Sequence, residues 1–138
     1  MYHTSKDEVP RRLRNGLTSF FLLDRNSNVD HVDHEAASNL AVTWVEVEPG
    51  AAQIPHHHAP EQIYVIVQGS GLMRVGEETQ QVTAGELVFI PPHAVHGLQN
   101  NGADVLIYVS AATPPFDLTE AYDRGQLQAQ RYLEESGG

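Results

Sequence analysis

Cysteine is absent from the 138-residue sequence, and this absence excludes several kinds of chemistry. Without thiols the chain has no disulfides, no thiolate metal ligands and no cysteine nucleophile. Lysine occurs only once, at Lys6, so no lysine lies in the central part of the sequence for Schiff-base chemistry. The remaining residue types with chemical potential are histidines, carboxylates, amides and tyrosines.

Long apolar runs and basic residues are also scarce. No run approaches the roughly 18 residues that cross a bilayer, and the N-terminal residues lack the apolar region of a signal peptide. Eight Lys and Arg stand against 18 Asp and Glu, and the formal net charge is −10 at pH 7. An acidic surface repels phosphate backbones and anionic lipids. We therefore expect a cytoplasmic protein with no nucleic-acid partner and no membrane partner.

The length suits one domain that buries its own core. Residues 1–16 are polar and are interpreted as a flexible, solvated N-terminal arm. Short apolar runs punctuated by glycine and proline follow, at residues 17–23, 40–48, 62–68 and 104–111. Such short strands, joined by turns, predict an all-β fold class with an antiparallel barrel over residues 17–112. Trp44, in the second of these runs, is expected in the core, with a place in a pocket wall as the alternative.

Two other segments differ in character. After a Thr-Pro-Pro turn, residues 117–120 read D-L-T-E, a capping box that predicts a short C-terminal helix within a tail over residues 113–138. Residues 24–39 are polar and are interpreted as a loop over the barrel mouth. His31 and His34 lie in that loop beside two aspartates, so a second metal site there is the less favoured alternative.

Three consecutive histidines, His56 to His58, stand between a proline-bounded turn and a strongly apolar run. Side chains of an extended chain alternate between its two faces, so His56 and His58 point to one side and His57 to the other. Gln62 faces the same way as the pair if the chain stays extended. Two imidazoles and one amide oxygen form the nucleus of a metal site that needs a further ligand.

A further histidine arrives in the stretch of residues 85–100, which reads GELVFIPPHAVHGLQN. An apolar run leads into a Pro-Pro turn, and His96 follows on a new extended segment. A barrel rich in hairpins can bring His96 opposite the first three groups. Three adjacent histidines alone would suit a solvated loop equally well, and this second stretch favours a metal site.

Together the two stretches resemble the paired motifs of the cupin superfamily. The first motif is matched by Gly50, His56, His58, Gln62 and Gly69. The second is matched by Gly85, Pro91, His96 and Asn100, after a short spacer of 15 residues. The resemblance covers roughly residues 38–112. It implies a double-stranded β-helix, or jelly roll, and one divalent metal ion bound by His56, His58, Gln62 and His96.

Two positions depart from the family pattern. Gln62 stands where the family usually has glutamate, so the donor set carries one negative charge less, which weakens its affinity for hard cations. His93 occupies the turn position where glycine is usual, and histidine tolerates a positive φ better than most residues. His93 is therefore interpreted as a turn residue, with a place at the pocket rim as the alternative. Tyr64 and Tyr108 are candidate pocket acids, although core positions are favoured for both.

Three imidazoles and one oxygen suit Mn, Fe, Co, Ni, Cu or Zn, and four protein ligands leave positions open on a six-coordinate ion. The first functional hypothesis is a dioxygenase-like oxidoreductase acting on a small oxygen-rich molecule. The alternatives are a metal-dependent isomerase or lyase acting on a sugar-acid-like compound, and a non-catalytic module that binds a small molecule. The resemblance and the detached apolar run at residues 17–23 further predict a homodimer.

Overall fold

The computed structural model of the chain describes residues 1–24 and 39–113. In these residues one 3-10 turn, Lys6–Glu8, precedes ten β-strands. The strands are β1 (Arg11–Arg14), β2 (Leu17–Leu23), β3 (Ala41–Val47), β4 (Ala52–His56), β5 (Glu61–Gln68), β6 (Ser70–Val75), β7 (Glu78–Thr83), β8 (Leu87–Ile90), β9 (His96–Gln99) and β10 (Leu106–Thr113). Their pairing is antiparallel throughout, which confirms the predicted all-β fold class.

The strands form two sheets that enclose one core. The larger sheet has the order β1-β2-β3-β10-β5-β8, and the smaller has the order β4-β9-β6-β7. Consecutive strands repeatedly change sheets, which is the connectivity of a jelly roll. The core is filled from both sheets by eleven buried residues: Leu17, Val45, Val47, Tyr64, Ile66, Met73, Val82, Ile90, Leu98, Leu106 and Tyr108.

The inner face of the larger sheet changes from apolar to polar along β5 and β10. Alternate residues of β5 are buried, and they run from Ile66 through Tyr64 to Gln62. On β10, Tyr108 and Ser110 are buried opposite Ile66 and Tyr64. Because the side chains alternate, both strands direct the same set of residues into the barrel. The polar end of this face is where the histidines converge.

A buried asparagine ties the turns together at one end of the barrel. Asn100 is fully buried, and its Nδ2 donates to the carbonyl oxygens of Val47 and Asp104 at 2.9 and 2.8 Å. Its Oδ1 accepts the backbone N–H of Gly102 at 3.0 Å. These bonds use both protons and one lone pair of the amide, so the motif asparagine has a structural role.

The N-terminal segment, predicted to be a solvated arm, contains a strand and contacts the larger sheet. β1 pairs with β2 in the larger sheet, and Lys6 Nζ lies 2.7 Å from Glu46 Oε2 on β3. Lys6 also lies over the rings of Phe20 and Trp44, at 5.2 and 6.0 Å from their centroids. The core position expected for Trp44 was wrong, because the inward residues of β3 are its odd-numbered neighbours and Trp44 faces the outer surface.

Several predictions lie outside the described residues. The loop that contains His31 and His34 is one, and the short C-terminal helix in the tail is another. Among the helices of the described part of the chain, none has the length and apolar character to cross a membrane. The cytoplasmic location and the homodimer stay predictions.

Candidate metal centre

The smaller sheet positions two of the histidines. His56 is the last residue of β4 and His96 the first of β9, and the two residues are paired in register. Their ring centroids are 4.4 Å apart. A register shift between Gln53 and His56 marks an irregularity in β4 just before the first of these histidines. This pair therefore forms one wall of the site, on the inner face of the smaller sheet.

The other two predicted ligands lie where the chain crosses from the smaller sheet to the larger sheet. His58 lies in the connection between β4 and β5, and Gln62 is the second residue of β5. The connection is held in place by a backbone hydrogen bond of 2.7 Å from the N–H of His93 to the carbonyl of His58. The turn of the second motif thus fixes a ligand-bearing segment of the first.

Three of the four predicted ligands, all of them histidines, converge. The ring nitrogens available from His56, His58 and His96 all lie within 4.8 Å of one another. Donors about 2.1 Å from one ion lie roughly 3 Å apart when adjacent and about 4 Å apart when opposite, so a small contraction would let the three share an ion. Within residues 1–24 and 39–113, this is the group whose geometry could hold a metal.

Backbone carbonyls orient all three rings. The Nδ1 atoms of His56, His58 and His96 lie 3.0, 2.9 and 2.9 Å from the carbonyl oxygens of Ile54, Pro60 and Ala94. A carbonyl oxygen only accepts hydrogen bonds, so each Nδ1 carries the proton. The Nε2 atom of each ring then keeps the lone pair that a metal can bind. Metal-binding histidines are held in this way by their second nitrogen.

His96 provides a direct test of whether an ion fits. Its side chain is fully buried, and its Nε2 has no hydrogen-bond partner among the described residues. A buried acceptor without a donor costs roughly 1–3 kcal/mol. Coordination by the lone pair of Nε2 would remove this cost. The unsatisfied nitrogen at the convergence point therefore fits a metal ligand.

The contact between His58 and Gln62 gives a second test. The Nε2 of His58 lies 2.9 Å from Gln62 Oε1, while its Nδ1 donates to Pro60. A neutral ring has a single N–H, so in the neutral tautomer two lone pairs face each other across this 2.9 Å gap. The separation is close to the roughly 3 Å expected of adjacent donors on one ion. Gln62 is thus well placed as an oxygen donor.

Burial keeps these rings in the neutral, metal-binding form. It lowers the pKa of His56 from 6.5 to about 4 and that of His96 to about 3, helped for His96 by the neighbouring His56. Burial also lowers the pKa of His58, against hydrogen bonds to Gln62 and Pro60 that raise it. All four side chains of the set are then uncharged, so a bound divalent ion would keep its full charge.

The three weaker candidates have different surroundings. Tyr64 donates its hydroxyl to Gln53 Oε1 at 2.7 Å and meets the His96 ring edge-on, at 5.9 Å and 78°. Tyr108 is buried and stacks on Tyr64 with ring centroids 4.3 Å apart. His93 has φ 64° and an exposed side chain, as expected of a turn residue. Of the three, the two tyrosines belong to the interior.

Two residues near the centre were missed by the sequence analysis. Ser110 accepts a hydrogen bond of 2.6 Å from Gln62 Nε2, and Gln53 accepts the Tyr64 hydroxyl. The signal for Ser110 was its polar side chain at an inward position of an otherwise apolar strand. Gln53 carries no comparable signal, because the irregularity of β4 obscures which face it occupies.

Solved structures share this fold. An RmlC-like cupin from Shewanella frigidimarina superimposes with a TM-score of 0.69 at 19% identity, over 85% of this chain and 94% of that chain. KdgF from Halomonas has a TM-score of 0.66 at 21% identity, over 82% and 94%. The polyketide cyclase RemF from Streptomyces resistomycificus has a TM-score of 0.66 at 22% identity, over 82% and 79%. At these identities the similarity establishes the fold alone.

Sequence relatives overlap only in part. MJ1618 of Methanocaldococcus jannaschii is 34% identical over 71 residues, which are 51% of this chain and 57% of that protein. Dimethylsulfoniopropionate lyase DddW of Ruegeria pomeroyi is 31% identical over 62 residues, 45% of this chain and 41% of the lyase. Mannose-1-phosphate guanylyltransferase RfbM of Salmonella typhimurium is 34% identical over 71 residues, 49% and 14%. The chain thus spans less than two thirds of each of these relatives.

A family model extends the similarity across the centre of the chain. The cupin domain model matches residues 43–111, which is half of the sequence and includes every strand from β4 to β9. The matched region also contains His56, His58 and His96. The sheet order of the structure and the match to this model agree, and the chain belongs to the cupin family.

Proposed function

We propose that this protein is a mononuclear metal enzyme with dioxygenase-like chemistry on a small, oxygen-rich molecule. His56, His58 and His96 would bind one divalent transition metal, and Gln62 Oε1 would be the fourth protein ligand. The observation that carries the proposal is the convergence of three imidazoles, each offering one ring nitrogen within 4.8 Å of the others and each with its Nδ1 at hydrogen-bond distance from a backbone carbonyl.

The class of substrate follows from the charge of the donor set. Three neutral imidazoles and one amide leave the charge of a divalent ion uncompensated, and the described residues place no carboxylate within the ligand group. Negatively charged oxygen donors are therefore attracted to the open positions. A substrate with two adjacent oxygens, such as an enolate of a diketone, would chelate the ion and supply the missing negative charge.

The chain itself contributes orientation and shielding. His96 is fully buried whereas His56 and His58 are half-buried, so the open side of the centre lies next to the latter two. On the buried side, Tyr64 meets the His96 ring edge-on at 5.9 Å and stacks in turn on Tyr108. A bound redox-active metal would activate dioxygen and polarise the substrate oxygens. The protein would hold both reactants near one another and exclude water from the inner side.

An isomerase or lyase is the second candidate, and a specific similarity favours it. DddW is a lyase, and this chain is 31% identical to it over 62 residues. A neutral donor set also suits Lewis-acid chemistry, because the undiminished charge of the ion withdraws electrons from a bound carboxylate or carbonyl. In that case the metal would not need to change its oxidation state.

Metal exchange separates the two candidates. The protein is stripped with a chelator and reloaded in parallel with Fe(II), Mn(II) and Zn(II), and each form is assayed by oxygen uptake on enols and diketones. Each form is also assayed without oxygen for turnover of sugar acids and related carboxylates. Oxygen uptake with Fe or Mn but not Zn supports the oxygenase. Anaerobic turnover that survives with Zn supports the isomerase or lyase.

The matched control is the chelator-stripped protein, which should be inactive in both assays. Ligand binding is followed by calorimetry on the same samples. Tight binding of a substrate-like molecule with no turnover in any metal form would replace both enzymes with a non-catalytic binding module. Failure of the parent chain to take up any of these metals would refute the proposal altogether.

A further inference from the structure

Gln62 is held at its nitrogen end by one side chain from the neighbouring strand. Gln62 Nε2 donates to Ser110 Oγ at 2.6 Å, and both side chains are buried. Gln62 is paired in register with Ala112, two residues along β10 from Ser110. The two side chains are therefore diagonal neighbours on the inner face of the sheet, within reach of each other across the strands.

This contact matters because the two ends of a carboxamide differ. The oxygen end has lone pairs for a metal, whereas the NH₂ end has two donor protons and repels a cation. Rotation of the amide by half a turn would exchange the oxygen and the NH₂ group, which have nearly the same size and shape. With Nε2 on Ser110, Oε1 lies on the other side, 2.9 Å from His58 Nε2 and facing the convergence point of the histidines.

We propose that Ser110 is a positioning residue, which holds the Gln62 carboxamide by its NH₂ end with the oxygen facing the metal. The inference rests on the metal centre of the proposed function. It extends that function by assigning a role to a residue outside the ligand set. The Ser110 hydroxyl can also donate, so its contribution is to stabilise the observed orientation by accepting a hydrogen bond from the NH₂ end.

A buried hydroxyl on the neighbouring strand provides the comparison. Thr43 on β3 is paired in register with Ser110, is buried, and has no hydrogen-bond partner for Oγ1 among the described residues. It shares the burial, the inner face and the hydroxyl of Ser110 but lacks the bond to Gln62. A general effect of removing a buried hydroxyl should therefore appear in a Thr43 variant too.

The test compares Ser110→Ala with Thr43→Val in the full chain. Dissociation constants for Co(II) are measured by competition with a chromophoric chelator, and the visible spectrum of the bound ion reports its ligands. Ser110→Ala should weaken Co(II) binding by about 10- to 100-fold and alter the spectrum, as expected for loss of a residue that orients a ligand. Thr43→Val should leave both unchanged. Wild-type affinity and spectrum in Ser110→Ala would overturn the inference.

A double-mutant cycle distinguishes orientation from structural support. In Gln62→Glu the two carboxylate oxygens are equivalent, so no choice between ends remains and the Ser110 hydroxyl can donate to either. Adding Ser110→Ala to Gln62→Glu should then weaken Co(II) binding only by about threefold or less, a clear non-additivity. If Ser110→Ala causes the same loss in the parent chain and in the Gln62→Glu variant, Ser110 only supports the fold, which refutes the inference.

The metal-free protein gives a readout that does not depend on the proposed function. In the parent chain one Nε2 proton of Gln62 should exchange slowly with solvent and resonate apart from its partner, because it is bonded to Ser110. In Ser110→Ala this proton should exchange faster, and its resonance should move towards the position typical of a Gln amide that is not hydrogen-bonded. If the parent fails to bind Co(II), the proposed function fails; if the parent binds but the Gln62 amide is unaffected by Ser110→Ala, only the present inference fails.

Discussion

His56 and His96 lie opposite each other on β4 and β9, with their ring centroids 4.4 Å apart and both pKa values lowered. Burial disfavours the charged form of each ring, and two imidazolium ions at this distance would repel each other. The pair is therefore neutral at pH 7, with its lone pairs available to a metal. The same arrangement makes the metal-free protein sensitive to acid.

We expect the metal-free protein to lose stability as the pH falls below 6.5. The folded-state pKa values, about 4 for His56 and about 3 for His96, lie below the ordinary value of 6.5. Between these limits the unfolded chain binds more protons than the folded one, so stability rises with pH. Each such histidine contributes up to about 1.4 kcal/mol per pH unit in this window.

Urea unfolding of chelator-treated protein at pH 7, 6 and 5 measures this dependence. Carboxylates also titrate near the lower limit, so the control is the same series on His96→Ala, which should have a shallower dependence between pH 6.5 and 5. Parallel curves for the two proteins would show that His96 is not held neutral by burial.

His96→Ala should weaken metal binding by at least about tenfold, because it removes a nitrogen whose lone pair has no hydrogen-bond partner in residues 1–24 and 39–113. His93→Asn is the control, since the side chain of His93 is exposed and asparagine also accepts its φ of 64°. Metal content after dialysis and chelator competition measure both variants. Metal retention by His96→Ala equal to that of the parent would remove His96 from the ligand set.

Residue types and spacing were sufficient to predict the fold and to select His56, His58 and His96, whose convergence the geometry of the chain supports. The route to that convergence could not be predicted. Alternation along one extended strand was expected, but β4 ends at His56 and β5 begins at Glu61 in the other sheet. Local spacing does not specify where a chain changes sheets, because that depends on how the two sheets pack.

Side chains that act through a partner on another strand were also beyond the reach of the sequence. Ser110 and Gln62 are 48 positions apart, and their bond exists because β5 and β10 are neighbours in this register. Trp44 shows that the surroundings of an outward-facing side chain are equally hard to predict from the sequence. Its outward face is covered by Lys6, so an aromatic residue typical of a core lies on the outer surface beneath the N-terminal segment.

Tyr64→Phe tests whether the tyrosine near the centre is a proton donor in catalysis or a structural residue. The hydroxyl donates to Gln53 at 2.7 Å, so its removal should lower the free energy of unfolding by about 1 kcal/mol. The ring keeps its stack on Tyr108, and metal affinity should be unchanged. A selective fall in kcat with KM and metal affinity retained would instead identify Tyr64 as a catalytic acid. Tyr108→Phe, which removes the hydroxyl from the other ring of the stack, is the matched control.

Gly71→Ala should destabilise the barrel, because Gly71 lies close to strand β9 in its own sheet and to a side chain of β10 in the larger sheet. An added Cβ would lie 2.6 Å from the carbonyl oxygen of Gln99 and 2.8 Å from Leu106 Cδ2. Overpacking of this kind costs about 1–3 kcal/mol or more, measured by thermal or urea unfolding. The backbone oxygen belongs to the neighbouring strand β9, so it can move away only if the pairing of β6 and β9 is distorted.

Substitutions at Gly76, compared with those at Gly71, distinguish the effect of backbone strain from the effect of lack of space. It has φ +60° with nothing within 4 Å of an added Cβ, so conformation alone limits substitution there. At Gly76 asparagine should be tolerated better than alanine, because asparagine enters the left-handed region more readily. At Gly71 the order should reverse, since the larger side chain meets the same walls. Equal tolerance of alanine and asparagine at Gly71 would mean that the strands separate there at little cost, and that close packing of β6 does not fix the position of β9 and its histidine.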